Sequence, residues 1–293
     1  MKKLSSFALL IALVLFANTA TADTAAYKGH AVNFMVKGEG ETTIVLVHGW
    51  GGNASFWNGQ TDALARRNRV IVLDLPGHGK SAAPRVDYTQ QYFARAIIAV
   101  MDAAHADKAV LVGHSMAGST IRWAAKLYPE RAEGLVIVDG AIHPMPRNKA
   151  KRQEWLREMR AFVAKIRKPG SEEGTNELLD MLHTEQTPQE VRDAVRKSVL
   201  ATPRHVRDSA MDNLFKIKTM DIGPIETPTL ALYVRNEHLP PNFAAQMRLI
   251  FPGMTYEEFE GPGHYLMMER PGEVNERIEA FVKQLSNPPC SNR

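Results

Sequence analysis

Residues 109–118 read Ala-Val-Leu-Val-Gly-His-Ser-Met-Ala-Gly. The apolar run stops at Gly113, Ser115 follows two residues later, and Ala117 stands two beyond it. This is the pattern of a strand that turns sharply into a helix with the serine at the apex. Such a turn strains the serine backbone and holds its hydroxyl clear of the sheet. Strand and helix nearly touch there, so positions 113 and 117 must be small. A serine after a strand can also be a simple helix N-cap. It becomes a nucleophile only if partners for it exist elsewhere in the chain.

The surroundings of this segment alternate in the same way. Short β-rich runs occur at Ala31–Val36, Thr43–Val47, Val70–Leu73, Ala109–Val112, Leu135–Val138, Thr229–Val234 and Met254–Phe259. Several are nearly continuous Val, Ile and Leu, which implies burial on both faces, as in a parallel sheet. Helical patterns at 89–104, 116–127 and 271–285 lie between or after them. Alternating β and α in this order predicts an α/β protein with a doubly wound, mostly parallel sheet.

The alternation breaks at 143–224, where no strand signal occurs. Trp155, Met159, Phe162, Val163 and Ile166 mark one amphipathic helix, and Leu178, Leu179, Met181 and Leu182 a second. Thr187-Pro188-Gln189-Glu190 reads as a capping box opening a third, and Thr202-Pro203 as the start of a fourth. We read 143–224 as a helical cap inserted into a core of 23–142 and 225–293. Its place is over the carboxyl edge of the sheet, where open α/β sheets bind ligands. Trp155, Met159, Phe162, Met181 and Met211 are its candidate apolar faces.

Composition bounds the class. The chain has 293 residues, 44% hydrophobic and 23% charged, enough for one large globular domain with a sizeable core. Lys2 and Lys3, the apolar run Phe7–Ala17 and the small residues Ala20-Thr21-Ala22 form a three-part export signal, with cleavage expected after Ala22. The run is shorter than the roughly 20 residues a membrane span needs. The expectation is a periplasmic or secreted protein with no stable membrane anchor. Export removes two of the 36 basic residues and leaves 34 against 32 acidic ones. No dense basic patch interleaved with aromatics suggests nucleic acid. The one cysteine, Cys290, sits in a polar tail and can form no intramolecular disulfide. Oligomeric state is not readable.

A serine hydroxyl needs a base at neutral pH. His264 follows the last strand and a Gly-Pro-Gly turn and precedes the terminal helix, the station of such a base. A carboxylate must orient the imidazole. Glu237, just after Thr229–Val234, is the favoured candidate, and Asp139, at the end of Leu135–Val138, is the alternative. Two N–H donors must face the developing oxyanion. They are assigned to Met116 and to Trp50 in the glycine-rich loop His48-Gly49-Trp50-Gly51-Gly52. Trp50, Met116, His143 and Met267 are the candidate substrate-binding residues. No histidine spacing of the metal-hydrolase kind occurs, so neither a metal nor another cofactor is expected.

Four ordered motifs now stand together: His48-Gly49-Trp50, Asp74-Leu75-Pro76-Gly77-His78-Gly79-Lys80-Ser81, Gly113-His114-Ser115-Met116-Ala117-Gly118, and Gly263-His264 with Glu269 and Pro271. From about residue 30 to 285 the chain resembles the α/β-hydrolase fold family, in its serine esterase, lipase and haloperoxidase branch with a helical cap. Ala117 replaces that family's usual glycine, and glutamate at 237 departs from its usual aspartate. Asp74 and His78 are read as turn chemistry. The resemblance implies cleavage of a small, apolar carboxylic ester through an acyl-enzyme on Ser115. A lactonase, amidase, perhydrolase or carbon–carbon bond hydrolase could use the same residues, and a non-catalytic binding protein could share the fold. Epoxide hydrolases and haloalkane dehalogenases are similar too, but they carry aspartate where this chain has Ser115.

Overall fold

The computed structural model describes residues 21–168, 171–235 and 239–287. These residues form an eight-stranded sheet in the order β1-β2-β4-β3-β5-β6-β7-β8. The strands are β1 (Thr21–Tyr27), β2 (His30–Lys37), β3 (Thr43–Val47), β4 (Arg69–Leu73), β5 (Ala109–His114), β6 (Ala132–Val138), β7 (Thr229–Val234) and β8 (Thr255–Phe259). β1, β2 and β4 pair antiparallel, and every pairing from β4 through β8 is parallel. Every residue of β3, β5 and β7 is buried, the physical reason for their nearly continuous apolar sequence.

β1 has no counterpart among the expected strands. It is an edge strand with Ala25 and Tyr27 turned inward, joined to β2 by a two-residue hairpin turn. Lys28 and Gly29 both take positive φ there, 49° and 78°, as a type I′ turn requires. Thr21 and Ala22 at its head fall within the proposed leader, whose residues 1–20 lie outside the described ones. Cys290 also lies outside them.

The helices of the core are α1 (Asn58–Leu64), α2 (Gln90–Ala103) and α3 (Met116–Leu127). Between β6 and β7 the described residues form α4 (Lys149–Ile166), α5 (Glu173–Met181), α6 (Gln189–Ala201), α7 (Arg204–Leu214) and the short α8 (Ile217–Met220). The chain closes with α9 (Phe243–Met247), α10 (Leu266–Glu269) and α11 (Pro271–Ser286). A Cβ on Gly118 of α3 would contact Ile137, whereas one on Gly134 would strike Phe281 of α11. Ile137 and Gly134 point to opposite faces of β6 by strand alternation. Helices therefore cover both faces of the sheet.

Two details of the helices between β6 and β7 differ from expectation. α6 begins at Gln189 with Pro188 at its N-cap, so Thr187 is not a cap. Its hydroxyl donates instead to Glu269 Oε2 at 3.1 Å. Met181 is 63% exposed and packs on no core, because α5 ends there and turns it outward.

Candidate active site

Ser115 joins β5 to α3 at φ 54° and ψ −122°, a conformation an L-residue adopts only under constraint, at a cost of about 1–3 kcal/mol. The constraint comes from its neighbours. Its N–H donates to Val138 O at 3.1 Å, and its carbonyl accepts from Gly118 N at 2.9 Å and Ala141 N at 2.9 Å. The end of β6 thus holds the turn from the side. A Cβ at position 113 would lie 2.6 Å from Ala117 O, so strand and helix can cross there only with glycine at 113.

The loop after β3 approaches as closely. A Cβ on Gly49 would sit 2.8 Å from Ser115 Cβ. His48 fixes this loop. Its Nδ1–H donates to Gly49 O at 2.8 Å, and its Nε2 accepts from Leu75 N–H at 3.0 Å. Burial lowers its pKa to about 4, so this ring is neutral at pH 7. Farther along, Trp50 Nε1 donates to Arg207 O at 2.8 Å, and Gly51 O accepts from Ser198 Oγ at 2.8 Å. Both partners belong to the helical segment between β6 and β7, so α6 and α7 sit directly on the loop.

Asp74 organises the next loop. Its Oδ1 accepts from Ala54 N at 2.7 Å, and its Oδ2 from Asn33 Nδ2 at 3.0 Å and Lys80 N at 2.9 Å. His78 is fully buried on His48, with ring centroids 5.1 Å apart, and burial lowers its pKa to about 3. Both residues do turn chemistry.

His264 lies in the loop between β8 and α10, with Nδ1 2.5 Å from Asp139 Oδ2. Asp139 Oδ1 accepts from Val234 N at 3.0 Å, so both carboxylate oxygens are engaged. Asp139 takes a φ of 41° as the chain leaves β6. The carboxylate on the imidazole is thus the alternative candidate, Asp139. Glu237 and its neighbour His238 lie outside the described residues. The backbone around His264 is also held. Its N–H donates to Leu182 O at 2.9 Å, and its carbonyl accepts from His114 Nε2 at 2.9 Å. Burial, with His264 adjacent, pushes the His114 pKa well below its ordinary value.

Ser115, Met116, Trp50, Asp139, His143 and His264 line one cavity of about 300 Å³. Its remaining wall is mostly apolar, with Met159, Phe162 and Met211 from the helices between β6 and β7, and with Tyr233 of β7 and Leu239 beyond it. His143 packs against the rings of Trp155 and Phe215, and burial lowers its pKa. Met267 does not reach this cavity. α10 turns it inward to full burial, and its carbonyl accepts from Gln60 Nε2 at 2.9 Å. Phe215 and Leu239, both on the wall, carry no signal in the sequence. Among the described residues no cluster of three His, Cys, Asp or Glu side chains is placed to hold a metal ion.

The model of the alpha/beta hydrolase fold family matches residues 42–271. The chain belongs to this family. This hydrolase is 41% identical over 108 residues to the dihydrolipoyllysine-residue acetyltransferase component of the acetoin cleaving system of Pseudomonas putida. That match covers 37% of the chain and only 29% of the relative. The hydrolase is also 27% identical over 258 residues to the pimeloyl-[acyl-carrier protein] methyl ester esterase of Aeromonas hydrophila subsp. hydrophila, covering 82% of the chain and 94% of the relative. Among solved structures, the esterase EaEST from Exiguobacterium antarcticum superposes with a TM-score of 0.78 at 20% identity, over 90% of this chain and 100% of that one. The hydrolase is therefore a hydrolase-fold enzyme with esterase relatives.

Proposed function

We propose that this hydrolase is an exported serine esterase, with Ser115 as nucleophile, His264 as general base and Asp139 as the orienting acid. The observation that carries the reading is the 2.5 Å contact of Asp139 Oδ2 with His264 Nδ1, in the cavity that Ser115 lines. That contact commits Nδ1 to the carboxylate and leaves Nε2 for the serine proton.

In the first half-reaction Ser115 Oγ attacks the ester carbonyl and His264 Nε2 takes its proton. The N–H groups of Met116 and Trp50 stabilise the oxyanion. Asp139 stabilises the imidazolium, which then protonates the departing alcohol. In the second half-reaction His264 deprotonates water, which attacks the acyl group on Ser115. The acid leaves and the serine recovers its proton. The apolar wall from Met159, Phe162 and Met211 suits a substrate that is uncharged and hydrocarbon-like next to its scissile bond.

The test uses short p-nitrophenyl esters and a fluorophosphonate label. The native protein should turn over the esters and take the label, and Ser115→Ala should do neither. Undiminished turnover in the variant would remove the proposal. Export is tested separately. Protein from the periplasmic fraction or medium should begin at Asp23.

A further inference from the structure

A second concavity of about 610 Å³ lies beside the catalytic cavity, between α4 and the α7–α8 segment. Leu156, Met159, Val163 and Phe215 give it an apolar floor. Met159 and Phe215 also line the catalytic cavity, so the two spaces share a wall. Both side chains are only partly buried, and methionine, with three rotatable bonds, repacks readily.

The rim of this groove is cationic. Its charged groups are Arg160, Arg167, Lys216, Lys218 and Asp212. Arg167 is ion-paired with Asp212 and lies 3.7 Å from Asp208. Arg160, Lys216 and Lys218 form no ion pair among the described residues. Arg160 Nε donates to Leu156 O at 3.2 Å and Lys216 Nζ to Asn213 Oδ1 at 2.7 Å, both neutral acceptors. The rest of α4 adds net charge of the same sign, with Lys149, Lys151 and Arg157 exposed against Glu154 and Glu158.

An apolar floor next to three cations without anionic partners matches one kind of ligand, a hydrocarbon chain that ends in an anion. We propose that the groove binds the far end of the substrate. The substrate is an ester whose apolar chain leaves the catalytic cavity past Met159 and Phe215 and ends in a carboxylate among Arg160, Lys216 and Lys218. The proposal rests on the esterase reading for the scissile end alone, and binding in the groove can be measured without turnover.

Two probes that differ at one end separate the possibilities: monomethyl decanedioate, which carries a carboxylate, and dimethyl decanedioate, which is neutral. Calorimetry on Ser115→Ala should find the monomethyl ester bound roughly tenfold more tightly. Adding Arg160→Gln and Lys218→Gln should bring the ratio to about one. Adding Arg66→Gln instead, an exposed charge near the opposite edge of the sheet, should leave it intact. Equal binding to Ser115→Ala, or a preference that survives loss of Arg160 and Lys218, overturns the proposal. Equal binding together with sedimentation on phosphatidylglycerol vesicles that needs Arg160 and Lys218 overturns it in favour of a lipid surface. If the native protein hydrolyses neither ester while the binding preference holds, the esterase reading falls and the groove stands.

Discussion

Asp139 and His264 are 125 residues apart in the chain, yet a carboxylate oxygen of one lies 2.5 Å from a ring nitrogen of the other. β6 and β7 are adjacent parallel strands, and the loop after β8 folds back over their carboxyl ends. The second oxygen of Asp139 is tied to Val234 N–H at the end of β7, so the carboxylate has one orientation.

Asp139→Asn keeps this shape but favours the wrong imidazole tautomer. Its kcat on p-nitrophenyl esters is expected to fall roughly 10³–10⁴-fold. Glu237→Gln is expected to lose less than tenfold. Steady-state kinetics of the two variants, side by side, decide which acid serves His264.

Glu269 ties the histidine loop to the segment that leads into α6. Its Oε2 accepts from Gly263 N at 2.9 Å and from Thr187 Oγ1 at 3.1 Å. Glu269→Ala should cost about 1–3 kcal/mol of stability. It should also lower kcat roughly 10–100-fold by loosening the imidazole. Glu269→Gln keeps an acceptor oxygen and should recover part of both losses. Chemical denaturation and kcat measured on the same preparations check this.

Gly113→Val forces side-chain atoms into space that is already taken, since even a Cβ there would lie 2.6 Å from Ala117 O. A loss of about 2 kcal/mol is expected, or roughly 4–8 °C in Tm. Thermal unfolding followed by circular dichroism reads it. Ser115→Ala, which adds no bulk, should melt within about 2 °C of the native protein.

The buried histidines predict acid sensitivity. His48 and His78 have pKa values lowered to about 4 and about 3 by burial, and that of His114 is also well below 6.5. In the unfolded chain each takes a proton near pH 6.5. Below that pH the unfolded state binds more protons than the folded one, so stability is full above 6.5 and declines as pH falls towards 4. Each histidine contributes a slope of about 1.4 kcal/mol per pH unit near pH 5. Urea unfolding between pH 7 and 4.5 should show the decline, and His78→Gln should reduce the slope by about one proton.

Where physical demand is strict, the sequence is legible. β3, β5 and β7 are buried on both faces, so a nearly continuous apolar run marks each of them. The Ser115 turn leaves no room at 113, so glycine there announces it. β1 is not legible, because an edge strand needs only Ala25 and Tyr27 inward and tolerates polar residues such as Asp23 and Thr24 before them. The choice between Asp139 and Glu237 depends on which strand end the histidine loop crosses, and no residue pattern encodes that. Met267 misleads for a similar reason, since the direction of a four-residue helix such as α10 is set by its packing on Gln60. Thr187 looks like a helix cap in sequence, but its hydroxyl has a stronger partner in the carboxylate of Glu269.

The bond from the Trp50 indole to Arg207 O, and that from Ser198 Oγ to Gly51 O, bind the insertion to the turn beside Ser115. Excising the insertion would strand the indole N–H and expose the glycines of that turn to water. A chimera with a different helical segment between β6 and β7 would therefore have to supply a hydroxyl where Ser198 stands and an open carbonyl where Arg207 stands. Without both, the new segment would disturb the loop of Trp50 and Gly51 as well as reshape the cavity wall.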